Sequence, residues 1–310
     1  MKYIGVVECI SSGRLYIGDI ISRGYKPLII NTPLDQDWIY EYRRVIATEF
    51  KGKTESIDMG DDFDDFIRRL KEYDIVAVFA GSEFGVRNAD RIVDALGLKG
   101  NSSATTYLRC TKSGMYEALG RAGLRRIETK LVTSEEDVKQ FWNRYGLKKC
   151  VIKYSEAGGT VGLKICDSID DAVAHFKELR ATPTEFGDAN PDVLIQEFIG
   201  GTEYIVNTVS CDGKHLLTDV WEYAKVISDD GTIAYDCVKL IKDFRPGHTN
   251  MVHYAFKVLD AVDMKWGPCH TEIKIDRDGP VLIEVNARPM GLGMTAQYYD
   301  EILGHHVTNI

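Results

Sequence analysis

The segment from Cys269 to Gly293, CHTEIKIDRDGPVLIEVNARPMGLG, constrains this chain more than any other stretch. Alternation with a period of two in HTEIKID and VLIEVN, separated by Arg277-Asp278-Gly279, predicts a β-hairpin. Its three-residue loop would use Gly279 for a left-handed backbone position. That register sets Glu272 opposite Glu284. Residues two apart on a strand share a face, so Asn286 projects beside Glu284 and presents an oxygen to the same point. Hard oxygen donors, few in number, suit Mg2+ held jointly with phosphate oxygens. Taken alone, the segment is equally an edge hairpin whose polar face meets solvent.

At 310 residues the chain is too long for one small core and predicts two or three lobes. With 44% hydrophobic and 27% charged residues and a formal charge of -9, it has a globular composition and no overall electrostatic footprint for nucleic acid or an anionic membrane. No apolar run reaches the roughly 18 to 20 residues of a membrane span, and MKYIGVVECI enters a strand without a signal-peptide pattern. These features predict a cytoplasmic protein with neither nucleic acid nor membrane as partner. The seven cysteines (9, 110, 150, 166, 211, 237 and 269) have no CxxC spacing and no companion histidine cluster, which favours reduced, mostly buried thiols over disulfides or zinc.

The first hundred residues alternate strand and helix. Tyr3 to Val7, Pro27 to Ile30 and Asp74 to Ala80 are apolar strands, and Phe63, Phe66, Ile67 and Leu70 have helical spacing. A parallel, doubly wound lobe follows. Ligands of such sheets bind at the carboxyl ends of the strands, so the loops from Glu8 to Gly13 and from Gly81 to Gly85 face a cleft. Neither carries the GxGxxG dinucleotide fingerprint, and Glu83 is either a cleft residue or an ordinary loop carboxylate.

A second unit opens at Thr111-Lys112, which starts a helix with Met115, Leu119 and Ala122 on one face and Gly123 at its end. Thr133-Ser134-Glu135-Glu136 forms a capping-box pattern before Val138, Phe141, Trp142 and Tyr145. Lys149 to Asp167 makes a strand, a small-residue loop and a returning strand. Glycines between Ser155 and Gly162 would let backbone N–H groups approach phosphate, with Lys153 supplying a cation just before them. The same loop could be a flexible hairpin turn, and it does not fit the P-loop pattern. After a helix from Ser168 to Leu179, VLIQEFIGGTEYIVNTVS gives a strand at Val193 to Gln196, a Gly200-Gly201 hinge and a second strand from Glu203. Such a hinge can offer backbone groups to a purine while a carboxylate takes ribose hydroxyls, although Glu197 and Glu203 also read as exposed strand residues.

Taken in order, Lys112, VIKYSEAGGTVG, QEFIGGTEYIVN and HTEIKIDRDGPVLIEVNARPMG resemble the ATP-grasp superfamily of carboxylate-amine ligases. The resemblance covers most of the chain. More narrowly, AGSEFGVRNADRIVDALGLKGN and EYIVNTVSCDGKHLLTDVWEY are similar to the branch of bacterial L-amino-acid ligases and the dapdiamide synthase type. The fold class this implies is α/β with α+β lobes. A doubly wound pre-ATP-grasp domain over 1–108 would precede a two-lobed ATP-grasp fold with subdomains at 109–198 and 199–310.

The resemblance implies that Lys112 and Lys153 contact nucleotide phosphates, while Ser155, Glu156, Gly158, Gly159 and Gly162 belong to the loop that closes over them. Glu197, Phe198 and Ile199 would form the adenine hinge and Glu203 would bind ribose. Glu272, Glu284 and Asn286 match magnesium ligands. Arg288 matches an arginine that engages the transferred phosphate or a substrate carboxylate, which makes it, with Lys153, a candidate catalytic residue. Glu83, His270, Arg288 and Gly291 are candidates for substrate contact. ATP and Mg2+ are the implied cofactors, with Mn2+ able to substitute, and a small carboxylate and an amine are the implied partners in what could be a homodimer. A substrate carboxylate would take the γ-phosphate to give an acyl phosphate and ADP, and the amine would then displace phosphate. No base for the amine stands out among His270, His248 and Glu83.

Two features depart from the narrower branch. Related ligases commonly continue past the point where this chain ends at Ile310, which is compatible with a compact enzyme or a truncated one. Leu108-Arg109-Cys110-Thr111 stands where the branch tends to carry paired arginines, leaving one anion contact unassigned. The alternatives are a ligase for another small acid such as D-alanine, and a non-catalytic ATP-binding regulator or partner subunit.

Overall fold

The computed structural model describes residues 1–34, 36–155, 161–182, 191–227 and 233–310. The expected glycine-rich loop therefore falls partly outside the described residues, Glu156, Gly158 and Gly159 among them.

The chain begins with β1 (Lys2–Val7), α1 (Leu15–Ser22), β2 (Lys26–Asn31), α2 (Asp37–Glu49), β3 (Glu55–Asp58), α3 (Phe63–Leu70), β4 (Asp74–Ala80) and α4 (Val86–Leu96). The four strands form a parallel sheet in the order β3-β2-β1-β4. Alternate residues of the same strand bury on opposite faces. Leu28 and Ile30 join a core with α3 and α4, whereas Ile29 joins another with α1 and α2. A sheet buried on both sides is the doubly wound arrangement that the apolar strands predict. The short, half-polar β3, ESID, gave no comparable signal.

After α5 (Tyr107–Cys110) and α6 (Lys112–Arg121) comes a second sheet, β5-β8-β6-β7, antiparallel throughout. It comprises β5 (Thr129–Val132), β6 (Cys150–Tyr154), β7 (Lys164–Cys166) and β8 (Val193–Glu197), with α7 (Glu135–Tyr145) and α8 (Ile169–Ala181) supplying apolar residues to its core. The cap of α7 lies one residue later than the sequence pattern suggests. Ser134 is the N-cap and Asp137 closes the capping box.

The third sheet, in the order β11-β10-β9-β12-β13, is also antiparallel. Its strands are β9 (Thr202–Cys211), β10 (Lys214–Ile227), β11 (Ile233–Leu240), β12 (Gly267–Asp276) and β13 (Gly279–Asn286), accompanied by α9 (Pro246–Ala261) and α10 (Ala296–Leu303). Tyr204, Val206, Val220, Ile273 and Val285 pack from one face of this sheet against α6 and α9. The hairpin turn is tighter than the sequence suggests. Asp276 pairs with Gly279, so only Arg277 and Asp278 lie between the strands, and Gly279 has the expected positive φ, +104°.

Two bulges shape the sheet. Glu272 pairs with Glu284 but Ile273 pairs with Leu282, leaving Ile283 as an extra residue. Leu282 thereby turns into the helix-side core while Glu284 lines the cleft. Leu217 pairs with Thr208 and Asp219 with Asn207, so Thr218 is extra in the same way. Bulges re-aim side chains, and both of these turn a carboxylate to the face opposite the helices. All seven cysteines are free thiols. Four are buried, Cys110 is half-buried, and Cys211 and Cys237 are exposed. Among the described residues no helix is long and apolar enough to cross a membrane.

Candidate active site

The cleft lies between the second and third sheets, and the third supplies its floor as a grid of paired residues. Asp219, Asn207, His270 and Asn286 form one row across β10, β9, β12 and β13. Trp221, Ile205, Glu272 and Glu284 form the next, and Tyr223, Glu203 and Lys274 a third. The strand period of two puts all three rows on the face away from α6 and α9.

Glu272 and Glu284 stand directly opposite each other, as their spacing predicts. With its amide nitrogen toward them, Asn286 reaches Glu284 Oε1 at 3.2 Å and Glu83 Oε2 at 3.0 Å. Burial works to raise the pKa of Glu272, but the hydrogen bond and charge of His270, with Lys225 and Arg288, outweigh it and hold the carboxyl well below the usual range. Among the described residues no three His, Cys, Asp or Glu side chains form a metal cage. Two carboxylates, joined by the Asn286 oxygen once the amide turns over, fit an ion that takes its remaining ligands from phosphate and water, which is the habit of Mg2+.

Two lysines approach from different elements. Lys112 is the first residue of α6, whose N-cap Thr111 accepts from the Gly114 N–H. Met115 and Leu119 anchor that helix in the core beneath the third sheet, so Lys112 is fixed relative to the floor, and its Nζ lies 3.5 Å from Glu284 Oε2. Lys153 comes from β6 in the second sheet and is 7% exposed. Burial, reinforced by the charge of Lys112, brings its pKa down to about 7. Ser155 is buried and its N–H donates to the Asp192 carbonyl at 2.8 Å, so that N–H is committed within the protein. Gly162 has φ +68°, and its carbonyl lies 3.0 Å from His175 Nε2.

The chain breaks between β8 and β9, where the sequence places Gly200-Gly201 between two strands. Glu197, Phe198, Ile199 and Glu203 all line the cleft, with Val151 and Ile165 as an apolar wall. Glu197 Oε1 accepts from the Glu128 N–H at 3.0 Å, which binds the hinge to the start of β5. Lys274 donates to the Ile199 carbonyl at 3.0 Å and lies 5.7 Å from the Phe198 ring centre. Burial pushes up the carboxyl of Glu203 against the pull of Lys225, which stands 2.5 Å away. Val151, Ile165 and Ile199 thus give the slot an apolar side, and the Glu203 carboxylate lines it as well.

At the other end, Arg288 Nε lies 3.3 Å from Glu83 Oε2, so the loop after β4 meets the segment after β13. Ser11 Oγ donates to the Gly291 carbonyl at 2.8 Å, and the Gly293 N–H donates to Ser12 Oγ at 3.1 Å. A Cβ on Gly13 would stand 2.3 Å from the Gly81 carbonyl oxygen, so only glycine lets the two N-terminal loops touch there. Glu83, Arg288 and Gly291 thus occupy one region, where the N-terminal lobe meets the third sheet. His270 sits on the floor, buried, with Nε2 3.2 Å from Glu272 Oε1. His248 does not join them: it packs on Tyr204 at the helix side of the sheet, and its Nδ1 accepts from the Arg245 N–H.

The sequence reading missed Tyr223, whose hydroxyl lies 3.4 Å from Glu272 Oε1, together with Asn207, Asp219, Lys225 and Lys274. The alternation of HTEIKID places Lys274 on the same face as Glu272 and could have revealed it. The Thr218 bulge concealed Asp219. Arg109 is wholly buried and holds Asp90 at 2.9 Å and the carbonyls of Ser102, Val262 and Asp263. It braces the framework, and its guanidinium does not face the cleft.

Residues 147–296 match the ATP-grasp domain model. Over 306 residues the chain is 29% identical to dapdiamide A synthase of Enterobacter agglomerans, covering 98% of this chain and 71% of that protein. Its fold is similar to that of an L-amino acid ligase from Bacillus licheniformis, with a TM-score of 0.74 and 17% identity over 100% of this chain and 72% of the other. A D-alanine–D-alanine ligase from Bacillus anthracis superposes with a TM-score of 0.65 and 16% identity, covering 100% of this chain and 94% of that one.

Proposed function

The chain carries an ATP-grasp domain, and from that premise we propose that it is an ATP-dependent carboxylate-amine ligase that forms an amide bond between amino-acid-type substrates, releasing ADP and phosphate. The observation that carries this reading is the convergence of Lys112 and Lys153, from separate elements, on a floor bearing Glu272 and Glu284. An anionic triphosphate and its counter-ion fit between cations above and carboxylates below. A site for nucleotide alone has no physical need of the second set.

In this reading the hinge Glu197–Ile199 takes adenine and Glu203 accepts from ribose. Lys112 and Lys153 hold phosphate oxygens, and Glu272, Glu284 and Asn286 hold Mg2+, or Mn2+ in its place. The ion, when bound, neutralises charge that would repel an attacking carboxylate. Arg288 offers a planar fork to the transferred phosphate or the substrate carboxylate. With Glu83 and Gly291 it lies where the N-terminal loops close the far end, and His270 lies on the adjoining floor, so the substrates belong there. The substrate oxygen bonds to the γ-phosphorus as the bond to ADP breaks. The amine nitrogen then bonds to the acyl carbon as phosphate leaves with the bonding pair and the amine gives up its proton. Phosphoryl transfer depends on alignment and charge, so no side-chain nucleophile is needed. The three sheets fall within the units 1–108, 109–198 and 199–310, a division we adopt with α6 counted in the second by sequence although it packs into the core of the third. The free thiols accord with a cytoplasmic enzyme.

Phosphate release with ATP, Mg2+ and pooled amino acids, followed by mass spectrometry, tests the proposal. ADP with an amide-linked product supports it. AMP formation overturns the acyl-phosphate route, and tight ATP binding without turnover on any pool favours a regulator.

A further inference from the structure

We propose that Asn207, locked by Asp219, is a positioning residue that acts through His270 to leave one chosen oxygen of Glu272 for the ion. The proposal deepens the ligase reading and rests on its assignment of Glu272 as an ion ligand.

The orientation of Asn207 follows from its surroundings. Its Nδ2 lies 2.5 Å from Asp219 Oδ1 and 3.3 Å from Met290 Sδ, and both are acceptors. Turning the amide over would point its oxygen at those same two acceptors. Asn207 Oδ1 therefore faces His270 Nδ1, 3.1 Å away, and that ring nitrogen must donate. With Nδ1 so committed the ring plane is fixed, and Nε2 meets Glu272 Oε1 at 3.2 Å. The Tyr223 hydroxyl reaches that same oxygen at 3.4 Å. Among the described residues no hydrogen bond reaches Glu272 Oε2. One oxygen is thus engaged by His270 and Tyr223, on a residue that lines the cleft.

Asp219 is the fixed end of this row. It is 7% exposed and accepts from Asn207 Nδ2, from Trp221 Nε1 at 2.5 Å and from Thr218 Oγ1 at 2.8 Å. A charged acceptor with several donors holds an amide more firmly than a neutral one. Burying such a charge is costly, and apolar packing of the same volume is commonly at least as stable. The next row shows that packing, with Ile205 between Trp221 and Glu272. The Thr218 bulge is what brings Asp219 level with Asn207. A buried polar row whose place apolar packing could take, yet kept in register by an extra residue and ending on the proposed ion ligand, has the form of an orienting device.

Two variants test it, Asn207→Leu and Asp219→Asn, the second being nearly isosteric and freeing the amide to turn. Two readouts are taken on the full chain. Mn2+ binding is followed by electron paramagnetic resonance with a non-hydrolysable ATP analogue, and the His270 ring nitrogens are followed by NMR without ligands. We expect the Mn2+ concentration for half-saturation to rise about tenfold or more. The Mn2+ requirement of turnover should rise in parallel while kcat at saturating Mn2+ falls less, and the Nδ1 resonance of His270 should shift. Variants that melt cooperatively, bind Mn2+ like wild type and leave the resonance unmoved overturn the proposal. Wild type that fails to bind Mn2+ with the analogue removes the ligase reading instead. The His270 resonance then decides whether Asn207 orients the ring. If Asn207→Leu does not fold, Asp219→Asn carries both readouts.

Discussion

Lys112 Nζ and Glu284 Oε2 stand 3.5 Å apart across the cleft, the cation proposed for phosphate resting on the carboxylate proposed for the ion. In the absence of nucleotide the two screen each other, and in the proposed complex each would turn to a new partner. Glu284→Gln removes the charge at almost no steric cost. It should lower phosphate release by about a hundredfold or more and leave the circular dichroism spectrum and melting profile close to wild type. Wild-type turnover by this variant would remove Glu284 from the ion site.

Lys153 gives a pH signature. Burial and the Lys112 charge bring its folded pKa to about 7, so at pH 8 it is mainly neutral, and anionic phosphates favour its protonated form. Nucleotide binding at pH 8 should therefore take up a proton, and affinity should weaken as pH rises through and above 7. Calorimetry in buffers of different ionisation enthalpy measures the uptake, which Lys153→Met should abolish. The same shift acts on stability. Between pH 7 and roughly 10 the unfolded chain binds more protons at this position than the folded one, so this residue's contribution to ligand-free stability improves as pH rises across that window. Equal uptake by wild type and the variant would place the proton elsewhere.

Arg288→Lys keeps the charge but loses the planar fork. The expected result is a fall in kcat/KM of about a hundredfold with ATP-analogue affinity nearly unchanged, since Arg288 stands by Glu83 and away from the hinge. A loss of nucleotide affinity with normal kcat would reverse that assignment.

Arg109→Met should act on the framework. It strands the buried Asp90 carboxylate and the carbonyls of Val262 and Asp263. Urea unfolding should show a loss of about 3 to 5 kcal/mol, while the Michaelis constants of the surviving folded enzyme stay near wild type. A selective rise in a substrate Michaelis constant, without destabilisation, would make Arg109 an anion contact after all.

Gly201→Ala strikes the hinge. Gly201 has φ +85°, and an added Cβ would lie 2.1 Å from the Ile275 carbonyl oxygen. The start of β9 must then shift away from β12, so nucleotide affinity should fall along with stability. Unchanged affinity would show that the hinge tolerates displacement.

Most of the lobe order was legible because it is written in periods. DIVAVFA and VLIQE form strands, the second almost wholly buried, and the capped starts at Thr111 and Ser168 bind their own backbones as the side chains suggest. Glu272 and Glu284 meet although the turn is one residue tighter than expected, because the extra residue at Ile283 restores the register that the tighter turn shifts by one. The bulges were not legible. An extra residue at Ile283 or Thr218 leaves no mark in composition, yet it determines which side of the sheet Leu282 and Asp219 take. Long-range partners escaped for a similar reason: nothing near Arg109 in sequence announces Asp90 or the carbonyl of Val262. Lys153 read as a cation before a glycine-rich turn, but its lowered pKa depends on burial and on Lys112, both supplied by tertiary structure.

The residues assigned to ribose and to the ion lie on three hydrogen-bonded strands, whereas Glu83, Arg288 and Gly291 stand on loops outside the ladder. Strands in a ladder keep a spacing of roughly 4.8 Å, so the separations among Glu203, Glu272 and Glu284 are dictated by peptide geometry and change little when side chains elsewhere are replaced. Loops have no such ruler. In the proposed ligase, activation and selectivity would therefore be written in largely separable parts of the chain. Exchanging the segment after β4 and the residues that follow Arg288 should alter which acids and amines are joined without retuning how phosphate is moved.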